Sequence, residues 1–240
     1  MKKRSLALAI ALLTTAAATS AVAGPPGLTV LASGSCVATT PVAGPWDVYE
    51  DMFQADAPTW LPAHTHNGIE CTLGTRGTTM WWFSGSGKHP VPAGSALFTV
   101  QGRVHTAGND GPAPMTYFAV HVLVAGSPYR TLVDDPTAPK QVSTNGTSPF
   151  HNIFPNQPAI AGTFTTRLRV LSLAPGASFD GERTSGMAYY TVISGQVTVT
   201  TGGATATYGQ YAKWASKPGL VATVKNPGRV PAVLGTARVY

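Results

Sequence analysis

The sequence has few charged residues, only two cysteines and no long amphipathic helix pattern. Charged side chains make up 11% of the 240 residues, with 16 Lys and Arg against 10 Asp and Glu. No cationic cluster is interleaved with aromatic side chains, so the charge pattern gives no reason to expect nucleic-acid binding. The chain is instead rich in Gly (26) and Pro (20), with many Val and Thr. This composition favours short strands joined by tight turns, and we expect a β-rich protein.

The amino-terminal residues have the layout of a secretory signal peptide. A basic head (Lys2 to Arg4) precedes a short apolar run (Leu6 to Leu13), and small residues end the segment at Ala21 to Ala23. The apolar run is too short to span a membrane, and no later run is long enough. We therefore predict cleavage after residue 23 and a mature protein that is exported, periplasmic or secreted, without a membrane segment. Removing three cations lowers the net charge from +6 to +3.

A cluster of metal-ligand residue types lies in the stretch HTHNGIECTLGTRG, which begins at His64. Along an extended strand the side-chain period is 2, so His64, His66 and Glu70 would share one face. Two neutral imidazoles and a carboxylate can chelate a divalent metal ion. His105, further along the chain, offers a third imidazole. These four side chains are the predicted metal ligands.

The spacing of this stretch resembles the first motif of the cupin superfamily. That motif places a Gly, five residues, His-x-His, three residues, Glu, six residues and a second Gly. The corresponding residues here are Pro58, His64, His66, Glu70 and Gly77. Only the leading Gly departs from the motif.

The second cupin motif has a counterpart about twenty residues later in the chain. It runs Gly, five residues, Pro-x-Gly, two residues, His, three residues and Asn. Here it falls on Gly94, Val100 to Gly102, His105 and Asn109, with Val100 in place of the Pro. The resemblance implies antiparallel double-stranded β-helix barrels and one bound divalent transition ion. Fe, Mn, Ni, Cu and Zn are all compatible with the ligand types.

The second half of the chain repeats part of this spacing. Gly176 and Gly195 are separated as the two glycines of the first motif require, and Gly219 and Asn226 keep the frame of the second. The ligand positions are different, because they hold Glu182, Thr184, Ala188 and Ala222. Gly209 lies two residues earlier than the second motif requires. We predict a second cupin barrel that kept its turn glycines and lost its metal ligands.

The predicted fold is therefore all-β, with two double-stranded β-helix barrels in tandem. Residues 24–125 would form an amino-terminal arm and the metal-binding barrel, 126–163 a connecting segment, and 164–240 the degenerate barrel. Strand-like pieces in the arm lie at residues 28–31 and 46–53.

Two further strands are predicted inside the first barrel, at Thr78–Phe83 and Tyr117–Val124. The first contains four apolar side chains, about half of which would line the metal site: Met80, Trp81, Trp82 and Phe83. His121 in the second is expected in the core or at the surface, and His89 in a solvated loop.

Cys36 and Cys71 are the only cysteines, and both follow the predicted leader. An oxidising exported compartment favours a disulfide between them, with two buried free thiols as the alternative. Cys71 directly follows Glu70 and would face the opposite side of a regular strand. This orientation argues against Cys71 as a metal ligand.

The cupin resemblance implies several functions for a centre of this kind. The leading prediction is a dioxygenase-type oxidoreductase acting on a small phenolic or carboxylate substrate, with Glu70 and Arg103 as catalytic residues. Arg103 lies two residues before His105 and would anchor an anionic substrate group, unless it faces solvent. The alternatives are a redox-neutral isomerase or lyase, and a non-enzymatic metal or ligand carrier. The sequence does not indicate an oligomeric state.

Overall fold

The computed structural model describes residues 25–140, 146–181 and 185–240. The predicted signal peptide, and Glu182 and Thr184 at the ligand positions of the second half, lie outside these residues. The described residues form strands and no helix, so none of them could cross a membrane as a helix. The strands are β1 (Leu28–Ala38), β2 (Trp46–Ala55), β3 (Thr59–Trp60), β4 (His64–Thr65), β5 (Gly68–Arg76), β6 (Thr78–Phe83), β7 (Gly87–Pro92), β8 (Ala96–Thr99), β9 (His105–Asn109), β10 (Met115–Val124), β11 (Thr131–Leu132), β12 (Gly146–Gln157), β13 (Phe164–Leu173), β14 (Ser178–Asp180), β15 (Met187–Ser194), β16 (Val197–Thr201), β17 (Ala204–Tyr208), β18 (Lys213–Ser216), β19 (Thr223–Lys225) and β20 (Ala232–Val239).

These strands form four antiparallel sheets, which confirms the all-β prediction. Sheet I has the order β12-β2-β10-β5-β8, and sheet II the order β11-β4-β9-β6-β7, with β3 also paired to β9. Sheet III has the order β1-β13-β20-β15-β18, and sheet IV the order β14-β19-β16-β17. The first half of the chain thus supplies most of sheets I and II, and the second half most of sheets III and IV. That each pair forms a separate cupin barrel remains a prediction.

Each half gives one edge strand to the other half. β1, the first strand of the predicted arm, pairs with β13 in sheet III rather than with the strands that follow it. β12 lies in the segment predicted as a connection, yet it pairs along β2 in sheet I. Pro149 and Pro155 obscured β12 in the sequence, because proline is tolerated only at edges and irregularities. The register of β12 does shift near both prolines.

The main hydrophobic core lies between sheets I and III. In β2 and β10, alternate side chains face sheet III, among them Val48, Met52, Phe118 and Val120. Glu50 follows the same alternation and is fully buried. Thr191 of β15 donates a hydrogen bond to Glu50 Oε2 at 2.6 Å, while Oε1 has no partner. A carboxyl group is therefore enclosed between the two halves.

A disulfide joins the same two sheets. Cys36 of β1 is bonded to Cys71 of β5, with Cα atoms 5.9 Å apart. The predicted pairing is confirmed, and Cys71 faces the core rather than the interior of the first half. A loop closed over a sequence separation of 35 stabilises the fold by roughly 3 to 4 kcal/mol in the chain-entropy model.

Sheets I and II enclose a second interior, which contains the four predicted metal ligands. The opposite faces of β2 and β10 supply Phe53, Tyr117 and Ala119, which pack against Trp81 and Phe83 of β6. The predicted strands Thr78–Phe83 and Tyr117–Val124 are thereby confirmed. His89 was predicted in a loop but lies in β7, where Pro90 and Pro92 had suggested a turn.

Candidate metal centre

The four predicted ligands come from both sheets of the first half. His64 of β4 and His105 of β9 are cross-strand partners in sheet II, whereas Glu70 lies on β5 in sheet I. His66 lies where the chain passes from one sheet to the other. The prediction of a single continuous strand was therefore wrong, because β4 ends at Thr65 and β5 begins at Gly68. The side chains nevertheless meet, since the two sheets face each other across the interior.

Hydrogen bonds fix the orientation of three imidazoles. Each donates its Nδ1–H to a backbone carbonyl: His64 to Pro62 at 2.8 Å, His66 to Tyr129 at 2.5 Å, and His105 to Arg103 at 2.8 Å. A neutral ring that donates from Nδ1 has its lone pair on Nε2. Such carbonyl partners are the usual support for imidazoles that bind a metal through the other nitrogen.

The ligand atoms of His64, His66 and His105 lie within 4.8 Å of one another. Glu70 Oε2 lies 3.0 Å from His105 Nε2 and 3.6 Å from His66 Nε2. Neighbouring ligands of an ion at about 2.1 Å are themselves roughly 3 Å apart, so these separations suit a metal ion.

Two observations test whether the residues fit such an ion. His66 Nε2 is buried and has no hydrogen-bond partner. If the His105 ring is neutral, its Nε2 lone pair faces the Glu70 carboxylate, and two acceptors oppose each other. A cation bound between them would satisfy all three atoms, and three nitrogens with one carboxylate oxygen form a suitable donor set. The residues therefore fit a divalent transition ion.

The protonation states also suit a cation. Burial, and then the charge of His105, lower the pKa of His64 to about 4, and burial and His121 lower that of His66 to about 2. Burial raises the pKa of Glu70, but His121 and hydrogen bonds to the carboxylate hold it well below its usual range. Neutral imidazoles and an ionised carboxylate are the forms that bind metals.

Three polar residues next to the four ligands were not predicted. His121 is Glu70's cross-strand partner on β10, and its Nε2 lies 3.3 Å from Glu70 Oε1. On the other side, Asp51 Oδ2 lies 3.4 Å from His121 Nδ1 and accepts a hydrogen bond from the Tyr129 hydroxyl at 2.6 Å. Burial would lower the pKa of His121, but Glu70 and Asp51 outweigh it and raise the pKa.

The strand alternation on β6 decides which aromatic residues line the site. Trp81 and Phe83 face the interior, with ring centroids 5.5 Å and 6.0 Å from His105. Met80 and Trp82 pack on the opposite face of sheet II. Trp81 Nε1 is buried without a hydrogen-bond partner. An aromatic wall with one unpaired donor therefore stands beside the imidazoles.

Arg103 contributes to the site through its backbone. Its carbonyl orients His105, while its guanidinium donates to Ser86 Oγ at 2.8 Å and lies over the Phe83 ring, 5.6 Å from the centroid. Its predicted role as a substrate anchor remains a prediction.

Comparison with known proteins gave structural matches only. No protein-family model and no curated protein matches the sequence. A variant of B. subtilis oxalate decarboxylase matches with a TM-score of 0.57 and 12% identity, covering 80% of this chain and 69% of the other. AerE from Microcystis aeruginosa matches with a TM-score of 0.51 and 9% identity, covering 88% and 98%. The chain has the cupin fold. The cupin resemblance drawn from the two motifs is thus confirmed at the level of the fold.

A further match concerns the metal. It is a structure of Bacillus subtilis oxalate decarboxylase from a study of the Mn(II) centres of that enzyme. The TM-score is 0.53 at 13% identity, and the match covers 80% of this chain and 69% of the other. In the present structure, the His-rich group could hold one metal ion, as predicted. The residues missed by the motifs all come from β2, β10 and the segment after β10. The one available signal was a histidine flanked by Val120 and Val122 in an apolar run.

Proposed function

We propose that this protein is an exported, metal-dependent cupin oxidoreductase of the dioxygenase type that acts on a small phenolic or carboxylate substrate. The observation that carries the proposal is the convergence of three oriented imidazoles on Glu70 in a buried interior. His64, His66, His105 and Glu70 would hold the ion. When bound, it would supply Lewis acidity and, for a redox-active metal, electron transfer.

The surrounding side chains support a small organic substrate. Trp81 and Phe83 form an apolar wall, and a substrate oxygen beside Trp81 could accept the unpaired Nε1–H. A second unpaired buried group is the hydroxyl of Thr99, which lies opposite Glu70 on β8. Pairing these groups is more favourable than leaving them buried and unpaired, which favours a ligand with both polar and apolar parts.

An oxygen electrode provides the direct test. Protein loaded separately with each candidate metal is mixed with phenolic and carboxylate substrates, and His66→Ala serves as the matched control. We expect substrate-dependent oxygen uptake by the wild type that the variant lacks. Substrate conversion without oxygen uptake would contradict the dioxygenase assignment.

A redox-neutral isomerase or lyase is the second candidate. It is favoured by the position of His121 between Glu70 and Asp51, which lets one imidazole exchange a proton with two carboxylates. Product formation under nitrogen would identify this class. Tight metal or ligand binding without turnover would instead indicate a non-enzymatic carrier.

Two arginines are candidate anchors for an anionic substrate. Arg103 reaches the aromatic wall over Phe83, and Arg130 is an exposed residue that follows Tyr129 directly. Removing an anchor weakens substrate binding but leaves the ligands intact, so KM should rise at unchanged metal content. Parallel kinetics of Arg103→Ala and Arg130→Ala would identify the anchor. Unchanged KM in both variants would exclude these two arginines as the anchor.

Export rests on the amino-terminal sequence and is supported by the disulfide. A Cys36–Cys71 bond is characteristic of oxidising compartments. Amino-terminal sequencing of protein recovered outside the cytoplasm should begin at Gly24. An intact leader on the exported protein would contradict the predicted cleavage.

A further inference from the structure

The ligand atoms of the metal centre form two groups that share one histidine. The first contains His64, His66 and His105, and the second contains His66, Glu70 and His121. Within each group every ligand atom lies within 4.8 Å of the others. His121 lies outside both cupin motifs, yet its Nε2 lies 3.3 Å from Glu70 Oε1, which is close to the separation of two ligands of one ion.

The two carboxylate oxygens of Glu70 face different imidazoles. Oε2 lies toward His105 and His66, at 3.0 Å and 3.6 Å, and Oε1 lies 3.3 Å from His121 Nε2. The rings of His66 and His121 have centroids 4.6 Å apart. An ion bound between His66 and Glu70 is therefore within reach of His121 Nε2.

The other nitrogen of His121 faces a carboxylate. Asp51 Oδ2 lies 3.4 Å from His121 Nδ1, which is buried and has no hydrogen-bond partner, and the Tyr129 hydroxyl holds that carboxylate by a 2.6 Å hydrogen bond. His121 and Asp51 are both buried. A carboxylate behind one ring nitrogen is the arrangement that keeps its proton there and directs the other nitrogen to a metal.

We propose that His121 is a fourth imidazole ligand of the metal centre, supported by Asp51. This inference rests on the proposed metal site and extends it beyond the residues of the two motifs. In the alternative arrangement, His121 is ion-paired with Glu70 outside the coordination sphere.

Proton NMR of the Co(II)-substituted protein distinguishes the two arrangements. Each coordinated imidazole contributes one strongly shifted ring N–H signal that disappears in D2O, because the unpaired electrons of Co(II) shift protons near the ion. The Nδ1–H groups of the other three histidines are protected by hydrogen bonds to carbonyls. We expect four such signals from the wild type.

The signal count separates failure of this proposal from failure of the metal site. One to three signals would report a bound ion with fewer than four imidazole ligands and would overturn the proposal alone. No shifted signal would overturn the metal centre as well. The wild-type count decides even if a variant does not fold.

Two matched variants then assign the fourth signal. His121→Gln should remove one signal, leave three, and weaken Co(II) binding by about tenfold or more in a chelator competition. His151→Gln is the control, because His151 Nδ1 lies 4.0 Å from Asp51 on the more exposed side. It should leave four signals. Four signals in His121→Gln would assign the extra ligand elsewhere and overturn the proposal.

Discussion

In the first half of the chain, Asn109 closes the loop after β9 by donating to the carbonyls of Ala55 and Ala113 and accepting from the Gly111 N–H. In the second half, Asn226 makes the same three hydrogen bonds after β19, to Leu173, Val230 and Gly228. The strand orders β2-β10-β5-β8 and β13-β20-β15-β18 also correspond. The two halves thus share these hydrogen bonds and the strand order of sheets I and III.

The interior side chains are not repeated. Four residues before each Asn, His105 of the first half corresponds to Ala222 of the second, and both are buried. The cross-strand pair of Glu70 and His121 corresponds to the pair of Ala188 and Arg238. Both ligand groups found among the described residues lie in the first half. The comparison shows that the shared hydrogen bonds serve the fold, since they are present with and without the imidazoles.

The largest expected effect is the loss of metal binding when one ligand of the first half is removed. Elemental analysis of the wild type should give about one divalent ion per chain, and His66→Ala should weaken binding by more than about 100-fold. His89→Ala, on β7 and outside both ligand groups, is the control and should retain the ion. Two ions per chain would contradict a metal-free second half.

The covalent link between the halves should have the next largest effect. Replacing Cys36 and Cys71 together by Ala should lower the free energy of unfolding by roughly 3 to 4 kcal/mol, as measured by urea denaturation. Thiol titration of the unreduced, denatured wild type should detect no free thiol. Two titratable thiols would disprove the bond.

The carboxyl group between the halves predicts a pH dependence of stability. Burial raises the pKa of Glu50 to about 8, against a partial lowering by Thr191 and Lys213. Between the ordinary glutamate pKa and about 8, the unfolded chain has lost a proton that the folded chain keeps. The free energy of unfolding should therefore fall as pH rises through this window.

Glu50→Gln removes this titration and should be more stable than the wild type at pH 9 by roughly 3 to 4 kcal/mol. At pH 5 the two proteins should differ little, because Glu50 is then protonated in the folded state. Urea denaturation at both pH values measures the difference. If the free energies of unfolding of the two proteins changed equally with pH, Glu50 would be ionised in the folded protein.

The smallest effect concerns a turn before β8 and its counterpart before β18. Gly94 has φ of 85°, and the corresponding Tyr211 has φ of 65°. Both donate their N–H to the strand opposite, to Gly74 and Val192. A side chain in the left-handed region costs about 1 kcal/mol, so Tyr211→Gly should exceed Tyr211→Ala in stability by that amount. Equal stabilities of the two variants would indicate that this turn relaxes.

The sequence predicted the four ligands of the first half, but it did not predict which other side chains the fold brings next to them. Motif spacing identified His64, His66, Glu70 and His105 because these residues are close in sequence within two short segments. It did not indicate Asp51, which is brought to the site by long-range pairing between β2 and β10. Gly209 lies off the motif position for a local reason, because Tyr211 occupies that position and adopts a φ of 65° without being glycine.

The exchange of edge strands has a consequence for biosynthesis. Sheet I requires β12, which is synthesised only after the whole metal-binding half, and sheet III requires β1, the first strand of the fold. β1 therefore has no partner strand until β13, more than a hundred residues later, has been synthesised. In the same way, the edge of β2 stays unpaired until β12 has been synthesised. The two halves are completed together rather than one after the other. Neither sheet can therefore be completed before residues from both halves have been synthesised.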